Sequence, residues 1–171
     1  GRETLVLDLD PQGNSSRYLL GDAAREPGAN GAAFFDQMLS FAFREQPLEA
    51  FLRPSPFERL RVLCSSPELD ELESKLESRY KMMKLREALE QLPDGTAVYI
   101  DTPPALNFYS RSALIAAQSV LIPFDCDDFS RRALYSLIDN VREIQSDHNR
   151  DLVMDGIVVN QFQQRARLPR Q

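Results

Sequence analysis

Short apolar runs, separated by longer stretches with apolar residues every three or four positions, organise this chain. The runs lie at Thr4–Leu9, Leu60–Cys64, Ala97–Ile100, Val120–Ile122 and Ile157–Val159, and they are aliphatic or β-branched. Runs this short and this continuously apolar fit parallel strands covered on both faces. After Ser65-Ser66-Pro67, the residues Leu69, Leu72, Leu76, Tyr80, Met83, Leu85, Leu89 and Leu92 recur mostly at helical spacing, which predicts one helix. Ser65 with Glu68 has the spacing of a capping box, Pro67 suits a first turn, and Asp94-Gly95 ends the element. A second helix is predicted from Ser130 by Leu134, Leu137, Ile138, Val141 and Ile144. This alternation predicts an α/β fold, a mostly parallel sheet with helices on both faces.

Two stretches are less regular. Gly21 to Gly31 is rich in small residues and reads as a flexible loop. Phe34 to Phe57 carries Phe34, Phe35, Met38, Leu39, Phe41 and Phe43, interrupted by Pro47, Pro54 and Pro56; its phenylalanines read as local core. There is no internal repeat, and 171 residues fit a single domain.

Composition narrows the function. The chain is 43% hydrophobic and 27% charged, the balance of a globular protein rather than a disordered one. A net charge of −6 excludes a generally basic surface, so any nucleic-acid contact is local. Cys64 and Cys126 are isolated and read as buried thiols of a reducing compartment. No apolar stretch approaches the ~20 residues that span a bilayer. His148, in Asp147-His148-Asn149, reads as a surface turn residue, with no nucleophile motif beside it.

The chemistry concentrates in two acid-terminated runs. Leu5-Val6-Leu7 leads into Asp8-Leu9-Asp10-Pro11-Gln12-Gly13-Asn14, and Ala97-Val98-Tyr99-Ile100 leads into Asp101-Thr102-Pro103-Pro104. Ligands of open α/β sheets sit at the carboxyl ends of strands. Two such strands would bring Asp8, Asp10 and Asp101 to one edge, an acidic cluster suited to Mg2+ and a water nucleophile. Asp8 and Asp10, two apart on a strand, would share a face. Pro11 stops the ladder and Gly13 permits a tight turn. A lone Asp-x-Asp also reads as acids capping a strand-to-loop turn, and Asp101 as the cap of a helix after Pro104. No G-x-x-x-x-G-K-[ST] phosphate loop occurs in these residues.

LVLDLDPQGN at Leu5–Asn14, VYIDTPPAL at Val98–Leu106, SVLIPFDC at Ser119–Cys126 and GIVVN at Gly156–Asn160 follow one another as in the ParA/MinD family of deviant Walker-type P-loop ATPases. The chain resembles its ParA-type partition proteins most, over most of its length. In that family a strand, a K-G-G-x-G-K-[ST] loop and a helix come before these motifs, and further elements follow them. The resemblance therefore describes residues 1–171 as a partial P-loop ATPase domain, which by itself is expected neither to bind ATP tightly nor to hydrolyse it.

For the intact protein the resemblance implies ATP and Mg2+ as cofactors, an ATP-dependent homodimer, non-specific DNA binding and a partner that stimulates hydrolysis. Its place would be the cytoplasm, on the nucleoid. By residue, it implies that Asp10 carries the hydrolysis step, that Asp101 is the Walker B acid at the metal, and that Asp8 lies near the metal shell. Asn160 would pair with the adenine edge, although it reads equally well as a turn residue. Arg165 matches a DNA-contacting arginine, with Arg167 and Arg170 beside it. A solvated basic loop is the plain alternative. Arg131 and Arg132 open a predicted helix against its dipole, which suggests an outside partner. A MinD-type membrane-cycling ATPase and a nucleotide-free interaction module are the competing functions.

Overall fold

The computed structural model describes residues 1–40, 45–125 and 128–160, and of 125, 128–133 and 160 the backbone alone. It divides into two compact units, Gly1–Ala116 and the residues from Ala117 onward.

In the first unit, β1 (Thr4–Asp8) lies between β3 (Leu60–Leu63) and β4 (Ala97–Asp101), parallel to both. The two-residue β2 (Arg53–Pro54) adds an antiparallel edge on β3. The sheet separates two apolar layers, and β3 shows how. Leu63 packs with the completely buried Leu5, Leu7 and Leu9, whereas its neighbours Val62 and Cys64 pack with Leu20. Alternate side chains of a strand point to opposite faces, so β3 is covered on both, whereas the exposed Tyr99 leaves β4 open on one.

Leu20 belongs to α1 (Asn14–Leu20). The larger layer holds α2 (Gly31–Asp36), α3 (Glu68–Ser78), α4 (Lys84–Leu89) and α5 (Phe108–Ala116). Its centre is aromatic. Phe35 meets Phe34, Phe108 and Tyr109 edge to face at centroid separations of 5.1, 6.0 and 5.2 Å. The Tyr109 hydroxyl donates to the Leu69 carbonyl at 2.6 Å, which satisfies the polar end of a buried ring. Burial raises the pKa of this phenol, and the Glu73 and Asp70 charges add to the rise. Of the phenylalanines predicted as core, Phe34, Phe35 and Phe51 are buried, whereas Phe57 is exposed; Phe41 and Phe43 lie outside the described residues.

Two local expectations change. The single helix predicted after Ser65 is broken at Tyr80, which adopts a left-handed backbone (φ 55°) and is 85% exposed. The reason is in the spacing. On one unbroken helix, Leu85, Leu89 and Leu92 would face roughly half a turn away from Leu69, Leu72 and Leu76. The break brings both sets to the same core. The stretch read as a loop at Gly21–Gly31 contains a 3-10 turn at Gly21–Arg25, and Gly31 opens α2, whose cap is Asn30 accepting from the Ala33 amide at 2.9 Å.

In the second unit, β5 (Ser119–Asp125) and β6 (Val153–Asn160) are parallel neighbours joined through α6 (Asp128–Asp147). Both strands are longer than their apolar runs. Val141, Ile144, Ile122 and Leu152 are buried, and the Asn149 side chain donates to the Ala117 carbonyl at 2.8 Å.

Candidate functional site

Parallel pairing puts Asp8 opposite Asp101 in the β1–β4 register, at the carboxyl ends of both strands. The strand stops at Asp8 and the Leu9 amide still donates to the Asp101 carbonyl at 2.8 Å, so Asp10 opens the following turn rather than sharing the ladder with Asp8. That turn runs Asp-Pro-Gln-Gly, the residue order favoured at successive positions of a tight turn. The Gly13 amide donates to the Asp10 carbonyl at 2.8 Å, and Gly13 has φ 63°, a conformation that favours glycine. Asp10 Oδ1 accepts from the Gln12 amide at 2.9 Å, which fixes its side chain over its own turn. Asp10 Oδ2 has no protein donor among the described residues.

The residues after the turn engage both strand-end acids. Ser15 Oγ donates to Asp101 Oδ2 at 2.6 Å. The Ser16 amide and hydroxyl both donate to Asp8 Oδ2, each at 2.7 Å. The Asp10 amide approaches Asp8 Oδ1 at 3.3 Å. Asp8 is fully buried, and burial pushes its carboxyl above its ordinary pKa; the Ser16 bonds pull it back, and the Asp101 charge adds to the rise.

A third serine ties the turn to β3. The Ser65 amide donates to Ser16 Oγ at 2.9 Å, and Ser65 Oγ donates to the Asp10 carbonyl. The capping box expected between Ser65 and Glu68 is therefore not formed. The hydroxyl beside Glu68 is that of Ser66, which donates to Glu68 Oε2. Nor does Asp101 cap the next helix: Asn107 Oδ1 accepts from the Tyr109 and Ser110 amides at 3.1 Å. Ser15 and Ser16 are missing from the site read in the sequence, and Ser65 enters that reading only as a cap. The signal for the first pair is two consecutive hydroxyls just past a turn glycine.

Mg2+ needs only one or two carboxylates when waters fill its other positions. Asp101 fits that role, because only one of its oxygens is taken and a hydroxyl stands beside it. Asp8 has Oδ2 taken twice and no exposed surface, so it is less suited to direct contact with a cation. Among the described residues no group of three His, Cys, Asp or Glu side chains is gathered closely enough to hold a metal ion unaided. Asn160 ends β6 in register with Asp125, where the backbone alone is described. Arg165, Arg167, Arg170 and Cys126 also lie outside the described residues, as do the side chains of Arg131 and Arg132.

An AAA domain family model matches residues 1–154. The chain belongs to this family, as a ParA-type P-loop ATPase relative. The chromosome partitioning protein ParA of Myxococcus xanthus is 31% identical over 172 residues, an alignment that covers 99% of this chain and 58% of that protein. The sporulation initiation inhibitor protein Soj of Bacillus subtilis is 26% identical over 98% of this chain and 64% of its own length. The chain thus spans less than two thirds of these relatives. Among solved structures, a Mycobacterium smegmatis cobyrinic acid a,c-diamide synthase with bound ATP analog and magnesium superposes with a TM-score of 0.82. It is 24% identical, covering 96% of this chain and 65% of that one, so it speaks for the fold. The α/β architecture and the ParA/MinD resemblance read from the motifs are both upheld.

Proposed function

We propose that this chain is the hydrolysis-bearing part of an ATP-dependent DNA partition protein. The observation that supports this most is the register pairing of Asp8 with Asp101, with Asp10 on a rigid turn just past the strand end. Bound ATP with Mg2+ would supply a γ-phosphate polarised for attack by water. Asp10 Oδ2 then accepts a hydrogen bond from the attacking water and orients it. Asp101 holds the cation through water, with the Ser15 hydroxyl sharing its carboxylate. Asp8 acts one layer behind, keeping Ser16 and the start of α1 in place. Asn160 pairs with the adenine edge.

The remaining roles belong to the whole protein. ATP brings two copies together, and the dimer binds DNA of any sequence through Arg165, Arg167 and Arg170. A partner protein stimulates turnover and release, and the protein works in the cytoplasm on the nucleoid. No helix among the described residues is long and apolar enough to cross a membrane.

The test uses a version carrying a K-G-G-x-G-K-[ST] loop, with its strand and helix, ahead of Gly1. There Asp10→Ala should abolish turnover while ATP affinity stays near the parent value, because the acid acts in the transition state. Asp101→Ala should weaken Mg2+-dependent binding instead. Turnover at the parent rate in Asp10→Ala would remove Asp10 from the mechanism.

A further inference from the structure

We propose that a cleft bounded by the Asp10–Gly13 turn, the Gly21–Asn30 segment and the start of α3 is a second anion site, one that takes a phosphate-bearing ligand. Its volume is about 420 Å³, and its walls include Pro11, Gln12 and Gly13 but none of Asp8, Asp10 and Asp101. Ser16 and Ser65 also line it, so it adjoins the acidic edge without including its acids, and its chemistry is that of arginines rather than of the nucleotide reading.

Its charge is unbalanced. Arg17, Arg25 and Arg53 line the cleft against two glutamates, Glu26 and Glu68, in a protein of net charge −6. None of the three arginines has a carboxylate within ion-pair distance among the described residues. Glu68 is meanwhile engaged by the Ser66 hydroxyl.

Its donors are also held in advance. Arg53 is half-buried on the edge strand β2, and its guanidinium is pinned by main-chain carbonyls: Nε to Ala29 at 2.9 Å and Nη1 to Ala23 at 3.1 Å. A Cβ on Gly28 would stand 2.9 Å from Arg53 Nη2, so the missing side chain leaves the fork its place. Arg17 is held likewise, with Nη2 on the Gln12 carbonyl and on Asn14 Oδ1, both at 2.7 Å. These bonds orient both groups but neutralise neither, and they leave N–H donors unspent: Nη2 of Arg53 and Nη1 of Arg17. Each guanidinium thus keeps one NH2 group, fixed in direction and unopposed by an acid, for a charge-assisted bond to a phosphate oxygen. Arg25, exposed and without a hydrogen bond or ion pair among the described residues, completes the set.

The probe is inorganic pyrophosphate, titrated calorimetrically into the 171-residue chain at low salt, with EDTA and no phosphate buffer. One saturable site is expected. Arg53→Lys keeps the charge but loses the fork, and should weaken binding about tenfold. Arg53 also staples the neighbouring segment, so Arg25→Ala is the companion variant. It touches no described partner and should weaken binding several-fold with an unchanged unfolding midpoint. Arg150→Ala, in the second unit, should bind like the parent. Failure to saturate, unchanged affinity in Arg25→Ala, or equal weakening in Arg150→Ala would each overturn the site.

Discussion

The hydroxyl of Ser65 donates to the main-chain carbonyl of Asp10, so the end of β3 holds the turn that carries the acid proposed to orient water. The same residue's amide binds Ser16 Oγ, which in turn donates to Asp8. One serine thus ties β3, the turn and α1 together.

Ser65→Ala should cost about 1 kcal/mol of stability, the usual net worth of one hydrogen bond. Urea unfolding followed by circular dichroism would measure it. In the version supplied with a phosphate loop, turnover should fall while ATP affinity holds, because the turn loses a fixed point without losing a ligand. A variant with parent stability and parent turnover would make this bond incidental.

Phe35 is fully buried and meets three other rings edge to face. Phe35→Ala should cost about 3–5 kcal/mol, by lost transfer energy and by the void left behind. Against a typical domain stability of about 5–15 kcal/mol that is a large share, and the melting midpoint should fall by about 6–20 °C. A thermal melt would read this directly. Phe57→Ala, at a ring that is 55% exposed, should leave the melt almost unchanged.

Cys64 is 1% exposed, and burial raises its thiol pKa, with the Arg53 charge acting against the rise. A raised pKa means less thiolate at any pH near 8, and the buried sulfur is also shielded from reagents. In a Cys126→Ser background, a disulfide dye should label Cys64 at the rate of unfolding rather than of encounter. Fast labelling of the native protein would contradict the two-layer packing around β3.

Arg165→Glu should weaken ATP-dependent binding of the intact protein to two unrelated duplexes alike. The log–log salt slope should flatten by about one unit for every DNA phosphate that the protein no longer neutralises. ATPase activity without DNA should stay at the parent level. Filter binding across a salt series would check it, and an unchanged slope would leave Arg165, Arg167 and Arg170 as solvated surface.

The acid-tipped strands were legible in the sequence because an apolar run ending in Asp and then a Pro/Gly turn restricts both the strand's length and its exit. Asp8 and Asp101 could be placed at one edge on that basis. The serines were not legible. A hydroxyl chooses between local and distant partners, and only the local choice leaves a spacing behind. Ser65-x-x-Glu68 looked like a cap, yet Ser65 bonds to residues 55 and 49 positions earlier in the chain. The break at Tyr80 was half visible. The step of two from Met83 to Leu85 disturbs the period, but nothing at Tyr80 itself announces a left-handed residue.

The break at Tyr80 has a consequence for length variation. Along a continuous helix, each inserted or deleted residue turns everything beyond it by about 100°, which would swing Leu85 out of the core. At Tyr80 the phase of α4 is set afresh by its own packing rather than passed on from α3. The exposed joint therefore works as an expansion gap, where the chain can gain or lose a residue while the leucines on either side keep their seats.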